Sequence, residues 1–133
     1  MGLPVRDDGA ARRKLRVLVV DDDGDSRDLF GEIVELAGHS ATTVPNGAEA
    51  LSAVHRGAFD VVLLDLTMPH VVGVEVARRV RETLGREAPR LVAVSGHSLT
   101  AQDRGRLPFD AYLVKPATPD VLIETIESVA RGA

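Results

Sequence analysis

The chain has 133 residues, 44% hydrophobic and 27% charged, which suits one domain burying about two thirds of its unfolded surface. A net charge of -4 opposes nucleic-acid binding, and the lack of cysteine excludes disulfides and thiolate metal sites and fits a reducing cytoplasm. No run reaches the roughly 18 apolar residues of a membrane span, and the opening MGLPVRDDGAARRK lacks the apolar middle of a signal peptide.

In chain order, residues 1–14 are read as a solvated tail ahead of a domain over 15–131. LRVLVV (15–20) is the first strand, apolar almost throughout. A helix over 26–37 places Leu29, Ile33, Val34 and Leu36 on one side, and SATTV (40–44) is a weaker strand. At 46–56 a helix begins with Asn46 as cap and Glu49 at the third helical position. DVVLLDL (60–66) is a second apolar strand, followed by a helix over 74–84 with Val76, Val80 and Leu84 at helical spacing. RLVAVS (90–95) is a third apolar strand. Between Ser95 and Lys115, Gly105 and Pro108 oppose helix, so any helix there is short. AYLV (111–114) is the last strand. The final helix has Thr118 as cap, Pro119 at the first position, Asp120 in the positive first turn, and Val121, Leu122, Ile126 and Val129 turned inward.

Continuously apolar strands are buried on both faces, the habit of parallel sheets. Their alternation with helices predicts a doubly wound α/β domain: a five-stranded parallel sheet with helices on both faces, flavodoxin-like (βα)5. Such sheets bind ligands beyond the carboxyl ends of the strands, where the winding reverses, and the first strand is the expected switch point.

That strand runs into Asp21, Asp22, Asp23 and Asp25, a crowd of like charges that needs a reason. The other strand ends supply Asp65, Ser95 and Lys115, so Asp21, Asp22, Asp65, Ser95 and Lys115 are expected to converge in one shallow pocket. Carboxylate oxygens suit a hard cation such as Mg²⁺, which takes one or two of them with water and phosphate. An ammonium suits a phosphate. Lys14 and Lys115 are the only lysines among 16 basic residues, so lysine at this strand end is a choice of compact charge over planar fork.

VVDDD, LLDLTMP, VAVSG and YLVKP, in this order, resemble the receiver domain of two-component response regulators, and FDAYLVKPATPD is similar to receivers found in hybrid histidine kinases. The resemblance implies a phosphoacceptor role in a phosphorelay, with Asp65 taking a phosphoryl group from a histidine kinase or phosphotransfer protein. It implies Mg²⁺ held by Asp21, Asp22, Asp65 and the backbone carbonyl of Thr67. Lys115 would pair with Asp65 and then with the phosphoryl oxygens, Ser95 would bond the phosphoryl group, and Tyr112 would turn inward as Ser95 moves. It further implies a cytoplasmic signalling protein that catalyses only its own phosphorylation and dephosphorylation. The expected partners are a histidine kinase or phosphotransfer protein and a downstream protein, a homodimer is left open, and no nucleic-acid or membrane contact is expected.

One alternative is a haloacid-dehalogenase-like phosphatase with Asp21 as nucleophile and Asp23 as acid. It leaves Asp65 idle, and after Lys115 there is room only for the final helix. Asp21, Asp23, Asp25 and Glu32 also have calcium-loop spacing, but the glycine position holds Ser26. His39 and His55 are read as surface or helix-end residues, and His70 and His97 as bordering the pocket.

Overall fold

The computed structural model describes residues 14–66, 70–96 and 107–132, with backbone alone for 70–72. The elements are β1 (Arg16–Val20), α1 (Gly24–Leu36), β2 (Ser40–Val44), α2 (Gly47–Arg56), β3 (Val61–Asp65), α3 (His70–Leu84), a 3₁₀ turn (Gly85–Glu87), β4 (Arg90–Ser95), β5 (Ala111–Val114) and α4 (Pro119–Ala130). The tail before Lys14, and most of the stretch where a short helix is expected between Ser95 and Lys115, lie outside the described residues.

All neighbouring strands pair in parallel, in the order β2-β1-β3-β4-β5. The winding therefore reverses beside β1, as the sequence predicts. The three strands with continuous apolar runs, β1, β3 and β4, occupy the centre, and the weaker β2 and β5 are the edges.

Successive side chains on a strand point to opposite faces, and the core divides accordingly. Leu18, Val20, Val62, Leu64, Leu91 and Ala93 pack on one face with Ala50, Ala53 and Val54 of α2 and Val76, Ala77 and Val80 of α3. Val17, Val19, Val61, Leu63, Val92 and Val94 pack on the other with Phe30 and Val34 of α1 and Leu122, Ile126 and Val129 of α4. Each fully buried aliphatic side chain contributes about 1.5–3 kcal/mol of transfer free energy.

The helix ends follow the sequence signals. Asn46 Oδ1 accepts from the Glu49 N–H at 2.9 Å, and Thr118 Oγ1 accepts from the Val121 N–H at 3.3 Å. Gly38, at φ 95°, lets the chain turn after α1. Gly73 lets α3 approach β3: a Cβ there would stand 2.7 Å from Leu66 Cδ2, next to Asp65.

Three expectations are corrected. The inward face of α1 is Phe30, Gly31 and Val34, while Leu29 is 55% and Leu36 84% exposed. The helix starts two residues earlier than predicted, and its contact with the sheet centres on the Phe30–Val34 row. Val121 is likewise 45% exposed, because α4 turns Leu122, Ile126 and Val129 inward. His39 is buried, held between the start of β1 and α4.

Candidate functional site

The carboxyl edge of the sheet is assembled by β4, which bonds to both neighbours. The Leu66 N–H donates to the Val94 carbonyl at 2.7 Å, which fixes the residue after Asp65. The Lys115 N–H donates to the Ser95 carbonyl at 2.8 Å, so the lysine begins beside the serine. Ser95 and Asp65 are both buried, at 7% and 2% exposure. Lys115 spans the gap: its Nζ lies 2.8 Å from Asp65 Oδ2 and 6.0 Å from the Phe30 ring centroid. An ammonium with a buried carboxylate on one side and an aromatic ring on the other is held by more than one surface contact. The Lys115–Pro116 peptide is cis.

Asp21 leaves β1 fully buried. Its N–H donates to the Val44 carbonyl at 3.2 Å, its Oδ1 accepts from the Asp23 N–H at 2.9 Å, and its own carbonyl accepts from Arg27 at 2.9 Å. Its Oδ2 has no hydrogen-bond partner among the described residues. Burial pushes its carboxyl above the ordinary carboxylate range, and the neighbouring Asp65 pushes the same way; the Ser26 side chain and the Asp23 N–H offset only part of this.

The acid crowd thus separates into different jobs. Asp23 caps α1, its Oδ2 accepting from the Ser26 N–H at 2.9 Å, and Asp25 lies in the positive first turn. Asp22 is exposed, and Asp28 is on the outer face of α1. The predicted helix start at 26 missed this cap, whose signal is an acid immediately before the helical run at Gly24.

Of the predicted site residues, Asp65 and Lys115 are in contact, Asp21 adjoins Asp65, and Ser95 is joined to Lys115 through the backbone. Tyr112 lies on β5 opposite Ala93, half-buried, its hydroxyl donating to the Leu107 carbonyl at 3.3 Å. Thr67 and His97 lie outside the described residues, as does the His70 side chain; His55 is exposed on α2, its Nδ1 2.7 Å from the Leu51 carbonyl. Among the described residues, no three acidic or imidazole side chains are placed to hold a metal ion by themselves. An orphaned buried oxygen on Asp21 beside a second buried carboxylate nevertheless fits a hard cation that takes one or two carboxylates and fills its shell with other oxygens.

Residues 17–127 match the family model for the response regulator receiver domain. The chain is 36% identical over 117 residues to a 14.6 kDa protein of the sodA1 3′ region in Leptolyngbya boryana, covering 86% of this chain and 88% of that one. It is 33% identical over 127 residues to the sensor histidine kinase RcsC of Salmonella typhimurium, covering 93% of this chain and only 13% of that one. It is also similar to the solved structure of the response regulator protein TrrA from Thermotoga maritima in complex with Mg²⁺ and BeF, with 32% identity, a TM-score of 0.76 and coverage of 86% and 98% of the two chains.

Proposed function

Since the chain belongs to the response regulator receiver domain family of two-component signalling, we propose that Asp65 is its phosphoacceptor and that Lys115, Asp21 and Ser95 serve the transfer. The observation that carries this reading is the 2.8 Å contact between Lys115 Nζ and the buried Asp65 Oδ2, at the carboxyl edge of a sheet whose switch point lies beside Asp21.

An Asp65 carboxylate oxygen attacks the phosphorus of a phosphohistidine. The new P–O bond forms as the P–N bond breaks, leaving an acyl phosphate and a neutral imidazole that takes its proton from water. Transfer of this kind depends on positioning and on neutralising the equatorial oxygens. Lys115 brings a cation already in hydrogen-bond contact with the acceptor. Ser95, beside Lys115 on the adjoining strand, supplies a hydroxyl for the phosphoryl group. Mg²⁺ would be held by Asp21 and Asp65, with exposed Asp22 and the Thr67 carbonyl as further oxygens, and would supply charge neutralisation at the acceptor. Only self-phosphorylation and its hydrolysis are assigned to this chain. The donor is a histidine kinase or phosphotransfer protein, and the output is a change in a protein-binding surface, with Ser95 and Tyr112 as the responding pair.

The dehalogenase-like alternative is not supported. The family match places the chain elsewhere, and Asp23, the acid that reading requires, is committed to the cap of α1. Among the described residues, no helix is long and apolar enough to cross a membrane.

Intact-mass spectrometry after incubation with Mg²⁺ and a small acyl-phosphate donor tests the assignment. Wild type should gain one phosphoryl group, Asp65→Asn none, and wild type in EDTA little. Undiminished uptake by Asp65→Asn would place the acceptor elsewhere.

A further inference from the structure

The segment entering β5 carries contacts that the phosphoacceptor chemistry does not use. Phe109 is 9% exposed and packs with Leu64, Leu66 and Ala93 in the core on the α2–α3 face of the sheet. The residues on either side of it are tied to different elements. Arg81, in the last turn of α3, donates from Nε to the Pro108 carbonyl at 2.9 Å and from a terminal guanidinium nitrogen to Asp110 Oδ2 at 2.9 Å. Asp110 exchanges two bonds with β4: its N–H donates to the Leu91 carbonyl, and its Oδ2 accepts from the Leu91 N–H, both at 2.7 Å.

A guanidinium fork across two acceptors is pre-organised and loses little freedom per bond. Phe109 is therefore a fixed ring between two anchored neighbours. Tyr112 leans on it edge-on, with ring centroids 5.7 Å apart and planes at 71°. Beyond this ring contact, the Tyr112 hydroxyl is bonded to the Leu107 carbonyl.

We propose that Phe109, bracketed by Arg81, is a positioning residue that holds Tyr112 where it stands in this structure, so that switching must give up the Phe109 contact. The inference rests on the phosphoacceptor reading, with Tyr112 as the responding ring. Only contacts that differ between two states shift the balance between them. Deleting one made in the resting state alone favours the other state, so Phe109→Leu makes switching easier. An edge-on aromatic pair corresponds to a roughly two- to twelve-fold shift. Arg81 acts through Phe109, so Arg81→Lys shifts the balance less and in the same direction. For the same reason, the double variant shifts it no further than Phe109→Leu alone.

The chain has one tyrosine and no tryptophan, so its ultraviolet emission above that of phenylalanine reports Tyr112 alone. Beryllium fluoride is titrated in excess Mg²⁺ while that emission is followed, and intact mass after acyl-phosphate treatment records phosphoryl uptake in parallel. Half-response at a roughly two- to twelve-fold lower beryllium fluoride concentration in Phe109→Leu, and at up to about two-fold lower in Arg81→Lys, is the expected result. Unchanged half-responses with normal uptake would overturn the inference, as would a wild-type emission that ignores beryllium fluoride while Asp65 still takes the group. No uptake by wild type at all would instead sink the phosphoacceptor reading, and this inference with it. If circular dichroism shows Phe109→Leu unfolded, the more exposed Arg81→Lys decides.

Discussion

Asp21 and Glu127 are buried carboxylates at opposite edges of one sheet, and the fold treats them in opposite ways. Glu127, on α4, is 8% exposed, and its Oε2 accepts from His39 Nε2 at 2.9 Å. The His39 Nδ1 accepts from the Leu15 N–H at 3.0 Å, so the ring proton lies on Nε2, facing the glutamate. One imidazole thus ties the entry of β1 and the entry of β2 to α4. Asp21 is fully buried but keeps one oxygen without a hydrogen-bond partner among the described residues, beside a second acid. A buried polar group left unpaired costs stability. The edge where strands begin is satisfied for its own sake, and the edge where they end holds a charge in reserve for something else.

Breaking the satisfied edge should cost most. Glu127→Ala leaves the His39 Nε2–H buried without its acceptor and opens space beneath α4. The expected loss is about 2–3 kcal/mol, a fall in Tm of roughly 6–10 °C. Glu127→Gln keeps an acceptor oxygen and should lose less than half of that. Scanning calorimetry on the two variants checks both, and equal losses would mean that packing rather than the hydrogen bond holds α4.

This contrast also marks what the sequence could and could not reveal. β2, β4 and β5 have the predicted bounds, because burial on two faces leaves an unbroken apolar run and edge strands a weaker one. Asp65, Ser95 and Lys115 were legible because parallel strands bring their ends to one edge. The His39–Glu127 pair was not, since 88 residues separate its members and no local pattern links them. The inward face of α1 was misjudged for a related reason. Leu29 and Leu36 are as apolar as Val34, and only the docking of the helix on the sheet decides which row is covered. Asp21 and Asp22 look alike in sequence, yet the first is buried and the second exposed, a difference set by where the strand stops.

Relieving the unsatisfied edge should act in the opposite direction and more weakly. Asp21→Asn keeps the shape and removes the charge. In EDTA it should raise Tm by about 3–4 °C, on the order of 1 kcal/mol, while lowering phosphoryl uptake. Millimolar Mg²⁺ should raise the Tm of wild type and leave Asp21→Asn nearly unmoved, since ligand bound only by the folded state stabilises it. A wild-type Tm indifferent to Mg²⁺ would remove the metal from the explanation of Asp21.

The pH dependence of that difference sharpens the comparison to a single charge. The Asp21 carboxyl is raised from its ordinary 3.8, chiefly by burial and further by Asp65. A group whose folded value is raised binds its proton more tightly when folded. Its contribution is fully present below the unfolded value and is lost as pH rises through the folded one. In EDTA, the Tm advantage of Asp21→Asn over wild type should therefore be greatest at pH 8 and shrink as pH falls through the raised folded value toward the ordinary 3.8, as the wild-type carboxyl takes up its proton. An Asp21→Asn advantage that stayed constant with pH would mean that the asparagine amide improves packing, and that the charge on Asp21 is not what the fold is carrying at a cost.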